Sequence, residues 1–198
     1  MNFALQDVPL PLRLRPERPM SDEDLVRFCG ANEALRVERE PNGDVLVMTP
    51  AGNRTGRRNT AIISALDAWA QRDGQGYVFD SNTGFTLADG SMRSPDAAWV
   101  RASRWDALSE EEKDRFSPIC PEFVVELRSE SDKLPELEHK MQQWIANGAE
   151  VGWLIDPQRV VVTIYRTGRL PEMLLSPERV EGDGPVAGFV LPLARVWS

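Results

Sequence analysis

Asp96, Glu126 and Lys140 are the residues whose types and settings could support chemistry. Asp96 opens the apolar stretch SPDAAWV just after Pro95, and Glu126 follows two valines in PEFVVELRS. Alternate residues of a strand share a face. Glu122, Val124, Glu126 and Arg128 therefore point one way, and Phe123, Val125 and Leu127 point the other and must be buried. An ionised carboxylate beside such a run needs a cationic partner or a metal. An Asp on one strand and a Glu on another could form a two-carboxylate site for a hard cation such as Mg²⁺, which combines few carboxylates with waters and phosphate oxygens. A cation held there orients an attacking water and stabilises charge building on a phosphate. Plainer readings stay open: a Pro-Asp pair is a common turn device at a strand start, and Glu126 could pair with Arg128 or lie at an edge.

A two-carboxylate site would need a basic group nearby. On LPELEHKMQQWIANG the apolar positions Leu134, Leu137, Met141, Trp144 and Ile145 form one stripe, and at about 100° per residue Lys140 lies at its border. A border lysine can lay its stem along the core and project its amine into a cleft. The competing reading is a surface pair with Glu136, four residues earlier. His139, the chain's one histidine, falls on the solvent side of that helix. Arg54, Arg57 and Arg58 crowd the start of another helix, where they could meet phosphate or simply be solvated, and Arg57 faces away from the apolar stripe. The GQG and ADG stretches are turns with no following P-loop lysine, and no nucleophile-elbow motif or Ser-His-Asp set is present.

The elements that must position these residues can be read from periodicity and turn chemistry. Residues 1–19 are Pro-rich and read as an extended arm. SDEDLVRFCG reads as a short helix capped by Ser21 or Asp22 and stopped by Gly30. LRVERE and DVLVMTP flank an Asn-Gly turn and read as a hairpin. RTGRRNTAIISALDAWAQRDG is a helix with Ile62, Leu66 and Trp69 on one stripe, flanked by Ile63 and Ala70, and ended by Gly74. The strands GYVFD, GFTLADG and SPDAAWV follow, then a short acidic helix near WDALSEEEKDRF, then strand 121–128. A helix runs from about Pro135 to Asn147, and VGWLIDPQRVVVTIY is a hairpin turning at Asp156-Pro157. The tail GFVLPLARVWS reads as packing on an edge. Irregular alternation of strands and helices, with hairpins at both ends, predicts an α/β fold with a mixed sheet.

Bulk properties set the limits. The chain has 198 residues, 41% hydrophobic and 27% charged, which suits one soluble domain over residues 20–198. No apolar run reaches the roughly 18 residues of a membrane span, and the N-terminus lacks a signal-peptide pattern. The two cysteines, Cys29 and Cys120, suit a reducing cytoplasm and form no zinc pattern. A single histidine excludes a His-rich metal site. The net charge of −8 argues against a broad nucleic-acid-binding surface, which works by neutralising phosphates, although it leaves room for a small basic cleft.

In order along the chain, EREPNGDVLVMTP, GNRTGRRN, VFDSNTGFTLADGSMRSPDAAWV and PEFVVELRSESDKLPELEHKMQQWIANGAEVGWLIDP resemble the Uma2 family over about residues 20–197. That family is similar to PD-(D/E)XK nucleases. The resemblance implies a restriction-endonuclease-like core, a mixed sheet flanked by helices with β-hairpin additions, and a Mg²⁺- or Mn²⁺-dependent phosphodiester site. It assigns Asp96 and Glu126 as metal carboxylates and Glu38 as an auxiliary acid. The superfamily's third motif residue would be a lysine at position 128, where this chain has Arg128. A planar, fixed-charge guanidinium is a poor substitute for an ammonium that must pair with a water. In Uma2-like chains the lysine stands on the following helix, which is Lys140 here. Many members carry a histidine near the start of the long helix, where this chain reads Arg58-Asn59.

The expectation is thus an endonuclease hydrolysing DNA, with Asp96, Glu126, Lys140 and Glu38 catalytic and Arg58 and Arg128 contacting phosphate. A homodimer is expected by analogy with enzymes that cut duplex DNA. Two alternatives stand beside it: a binding or assembly protein that keeps the nuclease fold without catalysis, and a metal-dependent phosphoesterase on small nucleotides. The nuclease reading requires the carboxylates of Asp96 and Glu126 to converge, with the Lys140 amine beside them.

Overall fold

The structure is a computed structural model that describes residues 11–198. In chain order its first half contains β1 (Leu12–Leu14), α1 (Asp22–Gly30), β2 (Arg36–Arg39), β3 (Val45–Met48), α2 (Asn53–Asp73), β4 (Gly76–Asp80), β5 (Phe85–Thr86), β6 (Met92–Arg93) and β7 (Ala97–Arg101). Then come α3 (Ala102–Trp105), α4 (Glu110–Lys113), β8 (Phe123–Leu127), α5 (Leu134–Ala146), β9 (Val151–Asp156) and β10 (Val161–Arg166). The chain ends with β11 (Glu172–Leu175), β12 (Arg179–Glu181), β13 (Val190–Pro192) and α6 (Ala194–Trp197). The contacts divide the chain into two compact units. Among the described residues no helix is long and apolar enough to cross a membrane.

The first unit is built from residues 1–51, 82–94 and 109–119. Its sheet is antiparallel in the order β1-β3-β2-β6-β5. The β2–β3 hairpin closes at Gly43, whose φ of 85° is one that L side chains rarely adopt. Leu25 of α1, Val37, Val45, Val47 and Met92 form the buried core. α1 begins with a capping box in which Ser21 accepts from the Asp24 N–H and Asp24 accepts in return. Residues 12–14, read as part of an arm, are the edge strand β1 paired to β3. They belong to the sheet because Leu12 and Leu14 pack against its core. The rest of the arm reading, residues 1–10, lies outside the described residues.

The second unit is built from residues 52–81, 95–108 and 120–198. Its sheet runs β11-β10-β9-β8-β7-β4, antiparallel throughout except for the parallel pair β8–β9. Parallel neighbours need a crossover connection, and here it is α5. Both central strands are buried along their full length, as expected of strands covered on both faces.

One face carries Ala97, Trp99, Phe123, Val125, Leu127, Trp153 and Ile155, packed on Ile62, Leu66 and Trp69 of α2. The tail supplies Phe189, Leu191, Leu193 and Val196 to this same core, so the expectation that it caps an edge is corrected. Its alternating apolar residues are all fully buried, and Phe189 stacks on Trp153 with ring centroids 5.5 Å apart. The opposite face receives α5. α5 starts with Pro135 in its first turn, a position that needs no N–H donor.

Close packing leaves little room at β4. A Cβ added at Gly76 would collide with the Trp99 ring and the Val100 carbonyl, one of which is backbone. Gly76→Ala is therefore expected to destabilise the protein by about 1–3 kcal/mol, the range for overpacked cores. Urea unfolding of the variant beside the wild type checks this, and an unchanged midpoint would show that β4 yields.

Candidate active site

Glu126 stands on β8, flanked by β7 and β9, and faces α5. It is 2% exposed. Its carboxylate has two donors from one helix. Trp144 Nε1 donates to Oε1 at 2.8 Å. Lys140 Nζ lies 2.9 Å from Oε1 and 3.1 Å from Oε2. Lys140 and Trp144 are four residues apart, so they lie one above the other on the helix face and can reach one point on the strand below. The competing surface pair is absent from the geometry: Glu136 pairs with Lys133 at 3.1 Å.

Asp96 lies immediately before β7. The antiparallel register pairs Ala97 with Val125, and one step further it sets Asp96 opposite Glu126. The Asp96 N–H donates to the Val125 carbonyl at 3.0 Å. Its carboxylate caps the end of the same ladder, where Oδ2 accepts the Leu127 N–H at 2.8 Å. That N–H belongs to the peptide unit joining Glu126 to Leu127. Oδ1 accepts from Asn59 Nδ2 on α2 at 3.3 Å. Asp96, Glu126 and Lys140 therefore gather at one end of the β7–β8 pair, with helices from both faces contributing.

The remaining candidates are placed differently. Arg128 does not turn to Glu126. Its Nη1 donates to Asp156 Oδ2 at 2.9 Å and its Nε to the Asp132 carbonyl at 3.3 Å. Asp156 is 2% exposed and also accepts from the Gln158 and Arg159 N–H groups of its turn. Arg128 thus ties the end of β8 to the β9–β10 turn, which answers why a strand of valines ends in an arginine. Glu38 belongs to the first unit. There it is buried, accepts from Arg93 Nη1 at 3.0 Å and from the Ser94 N–H at 3.3 Å, and shares Arg93 with Glu40. Burial alone would lower the Arg93 guanidinium, but attraction to Glu38 and Glu40 more than offsets it and raises the group above its ordinary value.

Arg58 lies in the first turns of α2, next to Asn59. Its Nε is buried and without a hydrogen-bond partner among the described residues. Burial first, and then the charge of Arg54, hold its guanidinium below its ordinary value; Arg57 adds to this and Glu130 opposes it. α2 has no side-chain cap and no acid in its first turn. Of the three arginines at the positive end of this helix dipole, Arg54 is answered by Glu130 at 3.3 Å.

Two contributors escaped the sequence reading. Trp144 was placed on the buried stripe of α5 but only as packing, although a buried indole N–H needs an acceptor. Asn59 lies three residues before Ile62, on the buried stripe of α2, and a polar amide at such a position must find a partner.

The donor set consists of hard oxygens, the kind that Mg²⁺ or Mn²⁺ takes. Among the described residues no three acids, histidines or cysteines cluster as a metal cage. Magnesium does not require one, since it keeps several waters and uses one or two carboxylates. The buried Asn59 Oδ1, which has no partner among the described residues, is a further oxygen beside Asp96. The residues present fit a cation of this class.

Residues 22–194 match the model of the Uma2 family, described as "Putative restriction endonuclease". The chain belongs to the Uma2 family. Among solved structures it is similar to "a putative nuclease belonging to DUF820" from Anabaena variabilis, with a TM-score of 0.68 at 18% identity over 81% of this chain and 89% of that one. That likeness establishes the fold, and the α/β restriction-endonuclease-like class read from the sequence holds. A second structure, the DrdV–DNA complex, has a TM-score of 0.38 at 17% identity over 60% of this chain and 10% of that one. No curated protein matches the chain.

The Glu126–Lys140 pair gives this Uma2 protein a measurable signature. Removing one member of a buried ion pair strands the other. Lys140→Ala is expected to cost about 3 kcal/mol in urea unfolding. The double variant Glu126→Gln/Lys140→Met should recover much of that loss, because no charge is left uncompensated. If the double variant is as unstable as the sum of the single ones, the pair is not coupled as drawn.

Proposed function

We propose that this Uma2 protein is a divalent-metal-dependent phosphodiesterase that cuts DNA internally. The observation that carries the reading is the placement of a lysine ammonium on Glu126 one peptide away from the Asp96 carboxylate. Two acids at the ends of neighbouring strands can hold a cation for metal-assisted hydrolysis of a phosphate diester, and an ammonium beside them can offset charge building on the phosphate. The family assignment supports nuclease chemistry in general.

Asp96 and Glu126 would hold the cation. When bound, Mg²⁺ or Mn²⁺ supplies Lewis-acid polarisation of a phosphoryl oxygen and a water of lowered pKa. The reaction adds one water across one P–O bond. The water oxygen bonds to phosphorus, the bond to the departing sugar oxygen breaks, and that oxygen takes up a proton.

The chain's own residues have separable tasks. Asp96 is fixed by the Leu127 N–H and Asn59, so its carboxylate is oriented before any ligand arrives. Lys140, ion-paired with Glu126, directs an N–H toward the oxygen that gains negative charge. Trp144 holds the Glu126 carboxylate in place and excludes water behind it. Arg58, at the uncapped start of α2, meets a phosphate of the substrate. Arg128 stays outside the chemistry and braces the strand end against Asp156. Glu38 acts through its own unit, where it neutralises Arg93.

The second reading, a binding or assembly protein on the same fold, has its own support. The Lys140 ammonium already balances the Glu126 carboxylate at 2.9 Å, and the chain is strongly acidic overall. Nicking of supercoiled plasmid at low salt separates the two. Under the catalytic reading, cleavage requires Mg²⁺ or Mn²⁺ and falls by at least about 10³-fold in Asp96→Asn and in Glu126→Gln. Arg128→Lys should keep most of the activity. Cleavage that survives both carboxylate changes would assign it to another site. Absence of cleavage in every metal would favour the binding protein.

A further inference from the structure

Asn59 carries more than its contact with Asp96. It is 6% exposed on the buried stripe of α2. Its Nδ2 donates to Asp96 Oδ1 at 3.3 Å, while Oδ1 of the same amide is buried and has no hydrogen-bond partner among the described residues. The orientation of the amide follows from chemistry. An ionised carboxylate only accepts, so the nitrogen, not the oxygen, is the amide atom bonded to Asp96. Both atoms hang on one carbon, so the lone acceptor lies within an amide's width of the donor that grips the carboxylate. Buried acceptors without donors are rare, and each points to something that completes it. A donor or a cation would complete this one; an anion would not.

We propose that Asn59 is the third protein oxygen of the cation site. Its Nδ2 positions Asp96 and its Oδ1 contacts the metal. This rests on the metal-dependent reading above and deepens it. Charge explains why an amide stands there. Two carboxylates, one ammonium and a divalent cation leave a single positive charge. A phosphodiester brings a single negative charge, so the loaded site is matched to a diester. A carboxylate at position 59 would grip the cation harder and cancel the attraction for substrate. A neutral oxygen adds to the coordination without that loss.

The test uses the full-length protein, with Mn²⁺ as the probe. Calorimetric titrations compare the wild type, Asn59→Ala and Asn59→Asp, and thermal melts are run with and without Mn²⁺. Asn59→Ala is expected to weaken Mn²⁺ binding by about ten- to hundred-fold, the usual loss when a group orienting a metal ligand is removed. Asn59→Asp should melt below wild type without Mn²⁺, because it sets two carboxylates side by side. With Mn²⁺ it should gain more in Tm than wild type does, while its plasmid cleavage falls.

Wild-type affinity in a folded Asn59→Ala protein overturns the proposal. So does an Asn59→Asp protein that is destabilised equally with and without Mn²⁺, since Asn59 would then only prop Asp96. If the wild type itself binds no Mn²⁺, the metal-dependent reading fails first and takes this inference with it. That outcome is distinct from the other two, in which wild type binds normally.

Discussion

The second unit is organised around one expensive fact, a carboxylate buried against an ammonium at the middle of a six-stranded sheet. Strands buried on both faces tolerate such a group only when donors are brought to it. α5 meets that demand. The parallel pairing of β8 and β9 requires a crossover, and the crossover helix must lie on the face toward which Glu126 points. Spacing by four then lets Lys140 and Trp144 reach one carboxylate together. The helix comes close because β9 carries Gly152 beneath it, where a Cβ would collide with the end of Met141 and stand 3.2 Å from Val124. The ion pair, the glycine and the crossover are parts of a single solution.

A second helix answers from the opposite face. α2 lies on the layer formed by Ala97, Phe123 and Val125, so its first turns end beside the start of β7. There Asn59 grips Asp96, and Arg54, Arg57 and Arg58 raise the local potential. The site is therefore a junction: the ends of two antiparallel strands supply acids, and a helix from each face supplies the groups that hold them. Such a junction is stiff, because each carboxylate is already oriented by donors before ligand arrives. Preorganisation of this kind is what electrostatic catalysis draws on.

Much of this was legible in the chain because the patterns were strong. The stripe of α2, the Ser21 cap, the Asn-Gly hairpin and the Asp156 turn are local, and each element forms where its local chemistry asks. Lys140 at the border of an apolar stripe was enough to place it near the core, though not to say which acid it would meet. Contacts between distant segments were harder. Arg128 shares a face with Glu126 by parity, yet Asp156, 28 residues further on, holds it, because the parallel neighbour β9 ends beside β8. Glu38 read as a solvated hairpin charge or a metal acid; it is buried rather than solvated, and pairs with Arg93 from a strand that pairs with its own. The tail read as an edge because its apolar alternation does not reveal which core it enters. In each case the missing information was register or partner, which periodicity along one segment does not contain.

The charge of the whole chain and the charge of the site pull in opposite directions, and distance decides between them. At physiological ionic strength, charges more than about 8 Å apart are largely screened. The net −8 therefore acts mainly on encounter with charged partners, and little on groups in direct contact with Lys140 or Arg58. A strongly acidic chain can therefore keep this fold: the fold sets the charges that matter at contact range, and the distant acids act on them only weakly.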